Sequence, residues 1–112
     1  MRMEKRTKDF ASSIIELSSS IPNSIETRVV KNQLIKAGTS IGANYREANR
    51  ARSKPDFVSK IRICESEASE TVYWLEILSG INSIVQVSLI AITDEAKELL
   101  AIFSSISKTL KL

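Results

Sequence analysis

The sequence predicts an all-α protein, an antiparallel up-and-down four-helix bundle made of one domain over residues 1–112. Three observations carry this. Apolar residues step by four and three along three long stretches, which keeps one seam of each helix turned to its partners. Both prolines, Pro22 and Pro55, fall at breaks between these stretches, and the chain holds only 3 Gly. Apolar residues make up 43% and charged residues 26% of the chain, a balance suited to a folded helical core rather than to disorder.

The first helix is expected over about 5–20, with Phe10, Ile14, Leu17 and Ile21 as its buried stripe. Ile21-Pro22-Asn23-Ser24 ends it, and Asn23 with Glu26 three residues on forms an expected capping box. The second helix is expected over about 24–51, on the seam Val30, Leu34, Ala37, Ile41, Asn44, Ala48 and Ala51. Gly38 and Gly42 lie four apart on one face of it and would let a neighbouring backbone come close. Each costs about 1 kcal/mol against alanine in a helix, so close packing is expected to offset them. Asn44 falls on the apolar seam, where an unpartnered amide costs about 1–3 kcal/mol. It is expected to bond to another helix and to hold the register.

Ser53-Lys54-Pro55-Asp56 marks the next corner, with a capping serine, a first-turn proline and a carboxylate at the positive end of the dipole. A third helix, about 55–80, places Phe57, Ile61, Cys64, Ala68, Thr71, Leu75 and Leu78 on its seam and stops near Gly80. The fourth, about 84–110, carries Leu89, Ile92, Ala96, Leu99, Phe103, Ile106 and Leu110. Its start, Ile84 to Leu89, alternates like a strand. Ser83 with Gln86 is however a second capping box, and no other strand exists to pair with it, so it is read as helix.

Catalytic chemistry is missing. Histidine is absent, Cys64 is the only cysteine, and Gly38, Gly42 and Gly80 form no phosphate loop. Glu65, Glu67, Glu70 and Glu76 read as a solvated face, since a di-iron bundle needs Glu-x-x-His pairs. The expectation is a non-enzyme with no cofactor, no metal and no small-molecule substrate. A lone thiol, no signal peptide and no membrane span further lead to a soluble, cytoplasmic protein.

Charge is unevenly placed. The end of the bundle where helix 1 starts, helices 2 and 3 meet and helix 4 finishes holds 13 basic and 6 acidic residues, a net +7. The other half holds 3 basic and 7 acidic residues, a net −4. Arg46, Arg50, Arg52, Lys54, Lys60 and Arg62 concentrate the positive end around the helix 2–3 corner, and Arg2, Lys5, Arg6 and Lys8 join it if helix 1 reaches back to Met3. Such a cluster is either a polyanion site or a face balanced by neighbouring acids. Large apolar residues also remain off the seams: Val58, Ile63, Tyr73, Trp74, Ile77 and Ile81 on helix 3, with Ile15 and Ile35 elsewhere. A helix apolar on more than one side is buried on more than one side, so a subunit contact is expected at Tyr73, Trp74 and Ile77.

Gly38-Thr39-Ser40-Ile41-Gly42-Ala43-Asn44-Tyr45-Arg46-Glu47-Ala48, then Phe57, Tyr73-Trp74-Leu75-Glu76, Glu95-Ala96 and Glu98-Leu99 resemble the bacterial four-helix bundle proteins of the 23S rRNA intervening-sequence family. The likeness spans about Asp9 to Leu110 and is most specific at Ser40-Ile41-Gly42-Ala43-Asn44. Relatives include the accessory protein of diversity-generating retroelements, a homopentamer whose basic surface engages reverse transcriptase and nucleic acid. The resemblance implies a pentamer and a role near nucleic acid, and it brings no catalytic residues. The expected function is therefore a homo-oligomer that binds RNA or DNA through its basic end without strong sequence specificity. An adaptor for an acidic protein partner, such as a polymerase, is the alternative.

Overall fold

Four helices carry nearly all of the residues that the computed structural model describes, 2–81 and 86–110: α1 (Arg2–Ser20), α2 (Ile25–Ala48), α3 (Lys54–Ser79) and α4 (Gln86–Thr109). Among the described residues no strand occurs. Ser83, Ile84 and Val85, and with them the Ser83–Gln86 capping box, lie outside the described residues.

Each helix packs on its neighbour in the chain, and α1 also touches α4. The backbones of the diagonal pairs, α1 with α3 and α2 with α4, do not come close, and these helices meet only through side chains in the core, as Tyr45 of α2 does with Phe103 of α4. This is the square cross-section of an up-and-down bundle, and its extents are 46 × 24 × 20 Å.

The predicted stripes form the core. Phe10, Ile14, Leu17 and Ile21 of the α1 side meet Val30, Leu34 and Ile41 of α2, Ile61, Leu75 and Leu78 of α3, and Leu89, Leu99 and Phe103 of α4. Helix α1 reaches back to Arg2 rather than Lys5, because no breaker precedes Phe10 and Met3 packs against the core. Gly38 and Gly42 do admit a neighbour, and it is α1. A Cβ on Gly38 would stand 2.9 Å from Ile14 Cγ1, and one on Gly42 would stand 3.0 Å from Thr7 Oγ1.

Four expectations are corrected. Asn44 is partly buried as expected, but its Nδ2 donates to the Ser40 carbonyl of its own helix at 2.8 Å, and among the described residues it bonds to no other helix. Tyr45 takes the core position instead, its ring 5.7 Å from that of Phe103. The cap of α2 is Ser24 with Thr27, not Asn23 with Glu26: the Thr27 N–H donates to Ser24 Oγ at 3.1 Å and the Ser24 N–H to Thr27 Oγ1 at 2.8 Å. Helix α2 ends at Ala48, since the N–H groups of Arg50 and Ala51 turn back to the carbonyls of Glu47 and Ala48, three residues away, and tighten the last turn. Val58 is buried within the bundle, and Trp74, Ile81 and Ile35 are partly buried against the core.

The corner before α3 follows the sequence. Ser53 Oγ accepts from the Asp56 N–H at 3.2 Å, and Pro55 sits in the first turn. Cys64 is fully buried, its Sγ donating to the Ile41 carbonyl at 3.5 Å, and burial pushes the thiol up to about 12. That is the state of a packing residue, not of a nucleophile.

Candidate nucleic-acid interface

The six cations expected to form the basic end come from the last turn of α2, the α2–α3 turn and the first half of α3. Arg46, Arg50, Arg52, Lys54 and Arg62 are exposed, and among the described residues none of the five has a carboxylate within ion-pair distance. Lys60 differs. It is half-buried, with Nζ 3.9 Å from Asp56 Oδ1 one turn earlier.

The structure does not bring all six onto one face. Arg50, Arg52 and Lys54 crowd the turn itself. Arg46 opens onto the α1–α2 face, in a groove of about 380 Å³ lined also by Lys8, Ala11, Thr39, Gly42 and Ala43. Arg62 opens onto the opposite face, in a trough with Glu65, Glu70, Tyr73, Leu100 and Ser104. The basic end is therefore a cap on the pole of the bundle, wrapping from one face to the other over the α2–α3 corner.

The contribution of helix 1 divides. Arg6 is held by two carboxylates of α4, with Glu95 accepting at 2.7 Å from both Nε and Nη2 and Glu98 at 2.8 Å from Nη2. These contacts hold the guanidinium charged well above its ordinary range. Lys5 Nζ pairs with Asp9 at 2.7 Å. Both cations are thus balanced locally. Arg2 and Lys8 are exposed and form no ion pair among the described residues, and Lys8 is the one that shares a groove with a predicted site residue. Its neighbour there is set by the close approach of α1 at Gly42, which a linear motif does not display. Glu4 lies in the same groove, its Oε2 accepting from Asn49 Nδ2 at 2.8 Å and tying α1 to the corner.

Of the residues expected at a subunit contact, Tyr73 and Ile77 are exposed, while Trp74 lies half-buried beside them. The Tyr73 and Trp74 rings pack edge-on at 5.0 Å, and Trp74 Nε1 donates to Glu70 at 3.4 Å. Among the described residues no group of three or more His, Cys, Asp or Glu side chains could hold a metal ion. Nor is any described helix long and apolar enough to cross a membrane.

Fold and site together make an all-α bundle with a pole rich in exposed basic residues and with exposed aromatic and aliphatic side chains on its flank. The chain belongs to the family of 23S rRNA-intervening sequence proteins, whose family model matches residues 1–105. It is also similar to a solved structure, a protein of unknown function from the S23 ribosomal protein family of Bacteroides thetaiotaomicron VPI-5482, determined at 1.70 Å resolution. That likeness is 36% in sequence, with a TM-score of 0.84, and covers 94% of this chain and 97% of the other. No match is found among curated proteins.

Proposed function

We propose that this protein is a non-enzymatic homo-oligomer that binds RNA or DNA through its basic pole, without strong sequence specificity. The observation that carries the reading is that Arg46, Arg50, Arg52, Lys54 and Arg62 form no ion pair among the described residues, while Lys5 and Arg6 nearby are paired. Cations left without intramolecular partners are free to neutralise phosphates and release condensed counterions. Tyr45, next to Arg46 in the chain, is buried and offers no face for base stacking.

One subunit offers two or three phosphate contacts, which bind weakly at physiological salt. Assembly multiplies them through effective concentration. Residues with large exposed apolar side chains, Tyr73 and Ile77 among them, support assembly, and a pentamer is the state that the family resemblance favours.

The test is a titration of the unmodified protein and an Arg50→Glu/Arg52→Glu variant against duplex DNA, RNA and single strands at two salt concentrations. The unmodified protein should bind all three at low salt, with log K falling by about 0.7–0.9 per phosphate for each unit of log salt. The variant should bind at least tenfold more weakly. Equal binding by both proteins, or none by either, defeats the nucleic-acid reading and leaves the adaptor for an acidic protein partner.

A further inference from the structure

The exposed cations of the basic end do not lie in one plane. Arg50, Arg52 and Lys54 occupy the α2–α3 turn at the crest of the pole, and Arg46 and Arg62 stand below it on opposite faces. Arg46 is two residues before the end of α2, about 3 Å down, and Arg62 is eight residues into α3, about 12 Å down, at about 1.5 Å per residue. The bundle between them measures 24 × 20 Å in cross-section. The basic surface is therefore a convex ridge, turned down at both ends.

Both ends are open to a ligand. On the α1–α2 face, Lys8 joins Arg46 in the groove floored by Ala11, Thr39, Gly42 and Ala43, small side chains that leave room for a phosphate backbone. Lys8 and Arg62 form no ion pair among the described residues. The carboxylates that border the two grooves are in part engaged elsewhere. Glu4 accepts from Asn49, Glu70 from Trp74 Nε1, and Glu65 from Ser104 Oγ at 2.8 Å.

Convexity selects among polyanions. A duplex keeps its direction over about 500 Å, far more than the 24 Å of the pole. Laid on the ridge, it meets only the crest, Arg50, Arg52 and Lys54, which are the two or three phosphate contacts that one subunit offers it. A single strand bends at every nucleotide. It can follow the ridge down both sides and add Lys8, Arg46 and Arg62, twice as many contacts. The path from Arg46 over the crest to Arg62 is on the order of 40 Å, which falls within the site sizes of about 4–16 nucleotides that single-strand binders cover. Since Tyr45 is buried, the selection comes from the bending of the backbone and not from stacked bases, so RNA and DNA strands are taken alike.

We infer that the basic pole is a site for single-stranded nucleic acid, bent over the α2–α3 corner with its phosphates on Lys8 and Arg46 at one end and on Arg62 at the other. This rests on the polyanion reading of the pole and adds to it the form of strand, the path and the part of Lys8.

Titrations of thymidine and uridine homopolymer strands, and of a DNA duplex of the same length, test it by fluorescence anisotropy over a range of salt concentrations. With equal numbers of phosphate contacts the duplex has the steeper fall of log K with log salt, about 0.9 per contact against about 0.7. The bent path reverses this order, because twice the contacts make the single-strand slope the steeper by about 1.5-fold. That ratio does not depend on how many subunits take part. Lys8→Glu and Arg62→Glu, both at exposed positions, should each weaken the single strands about tenfold and the duplex less than about twofold. Circular dichroism confirms the helices, and Lys8→Gln or Arg62→Gln replaces a variant that loses them. A steeper slope for the duplex, or variants that do not separate strands from duplex, overturns the bent path and leaves the polyanion site standing. Binding of neither form at low salt overturns both together.

Discussion

At the scale of single residues, the half-buried carboxylate of Glu67 shows how the fold sets a charge. Desolvation raises its pKa above the ordinary carboxylate range, Glu70 adds to this, and Lys36 opposes it. The folded state therefore favours the protonated form. The resulting contribution to stability is present at low pH and is lost as pH rises through the raised value. Glu67→Gln is accordingly expected to be more stable than the unmodified protein in urea denaturation at pH 7, with the advantage shrinking toward pH 4. A difference that does not change with pH would show that the carboxylate is not the cause. Glu26 has the opposite sense, since its own backbone N–H and the Ser24 hydroxyl lower its pKa at the start of α2. It is exposed, and screening leaves little of this as stability.

At the scale of elements, the α1–α2 contact is the one most closely tied to residue identity. Ile14 is fully buried and stands where a Cβ on Gly38 would have to go, so it has no room to swing aside. Gly38→Ala gains about 1 kcal/mol in helix propensity. Overpacking a core of this kind costs about 1–3 kcal/mol. The expected balance is a loss of about 1 kcal/mol, read by calorimetry as a fall in Tm of about 4 °C. A rise in Tm would mean that α1 can move outward without penalty. Asn44, by contrast, bonds within α2, so its replacement is not expected to shift the register between helices.

At the scale of the whole molecule, the bundle must close between its first and last helices, and this is its loosest seam. Helix α1 packs mainly on α2 and only lightly on α4. A groove of about 490 Å³ opens between α1 and α4, floored by Phe10 and Ile92. Arg6 spans it to Glu95 and Glu98. The charged groups are about one-third exposed on the Arg6 and Glu95 side chains, so the pair is screened in part. Arg6→Ala is expected to cost about 1 kcal/mol in denaturant unfolding at low salt, and less in 1 M salt, where the Debye length is about 3 Å. A loss independent of salt would assign the role of Arg6 to its packing rather than its charge.

Most of each seam, the breaks at Pro22 and Pro55 and the cap at Ser53 were legible in the linear chain, as was the uneven placing of basic residues. Each follows from helical periodicity or from local backbone chemistry, which depend on residues a few places apart. Packing in three dimensions sets the rest, which are matters of rotation and of distant pairing. Whether Asn44 or Tyr45 enters the core turns on a rotation of one position about the axis of α2, a helix that meets α1 at Gly38 and Gly42 and places Tyr45 against Phe103 of α4. Which cations stay free depends on partners far off in sequence, as Arg6 finds Glu95 from 89 residues away. Val58 is buried for the same kind of reason, because how much of α3 is covered depends on the helices beside it. Local spacing determines the elements and the sign of each end, and only the packed bundle determines which charges are already answered.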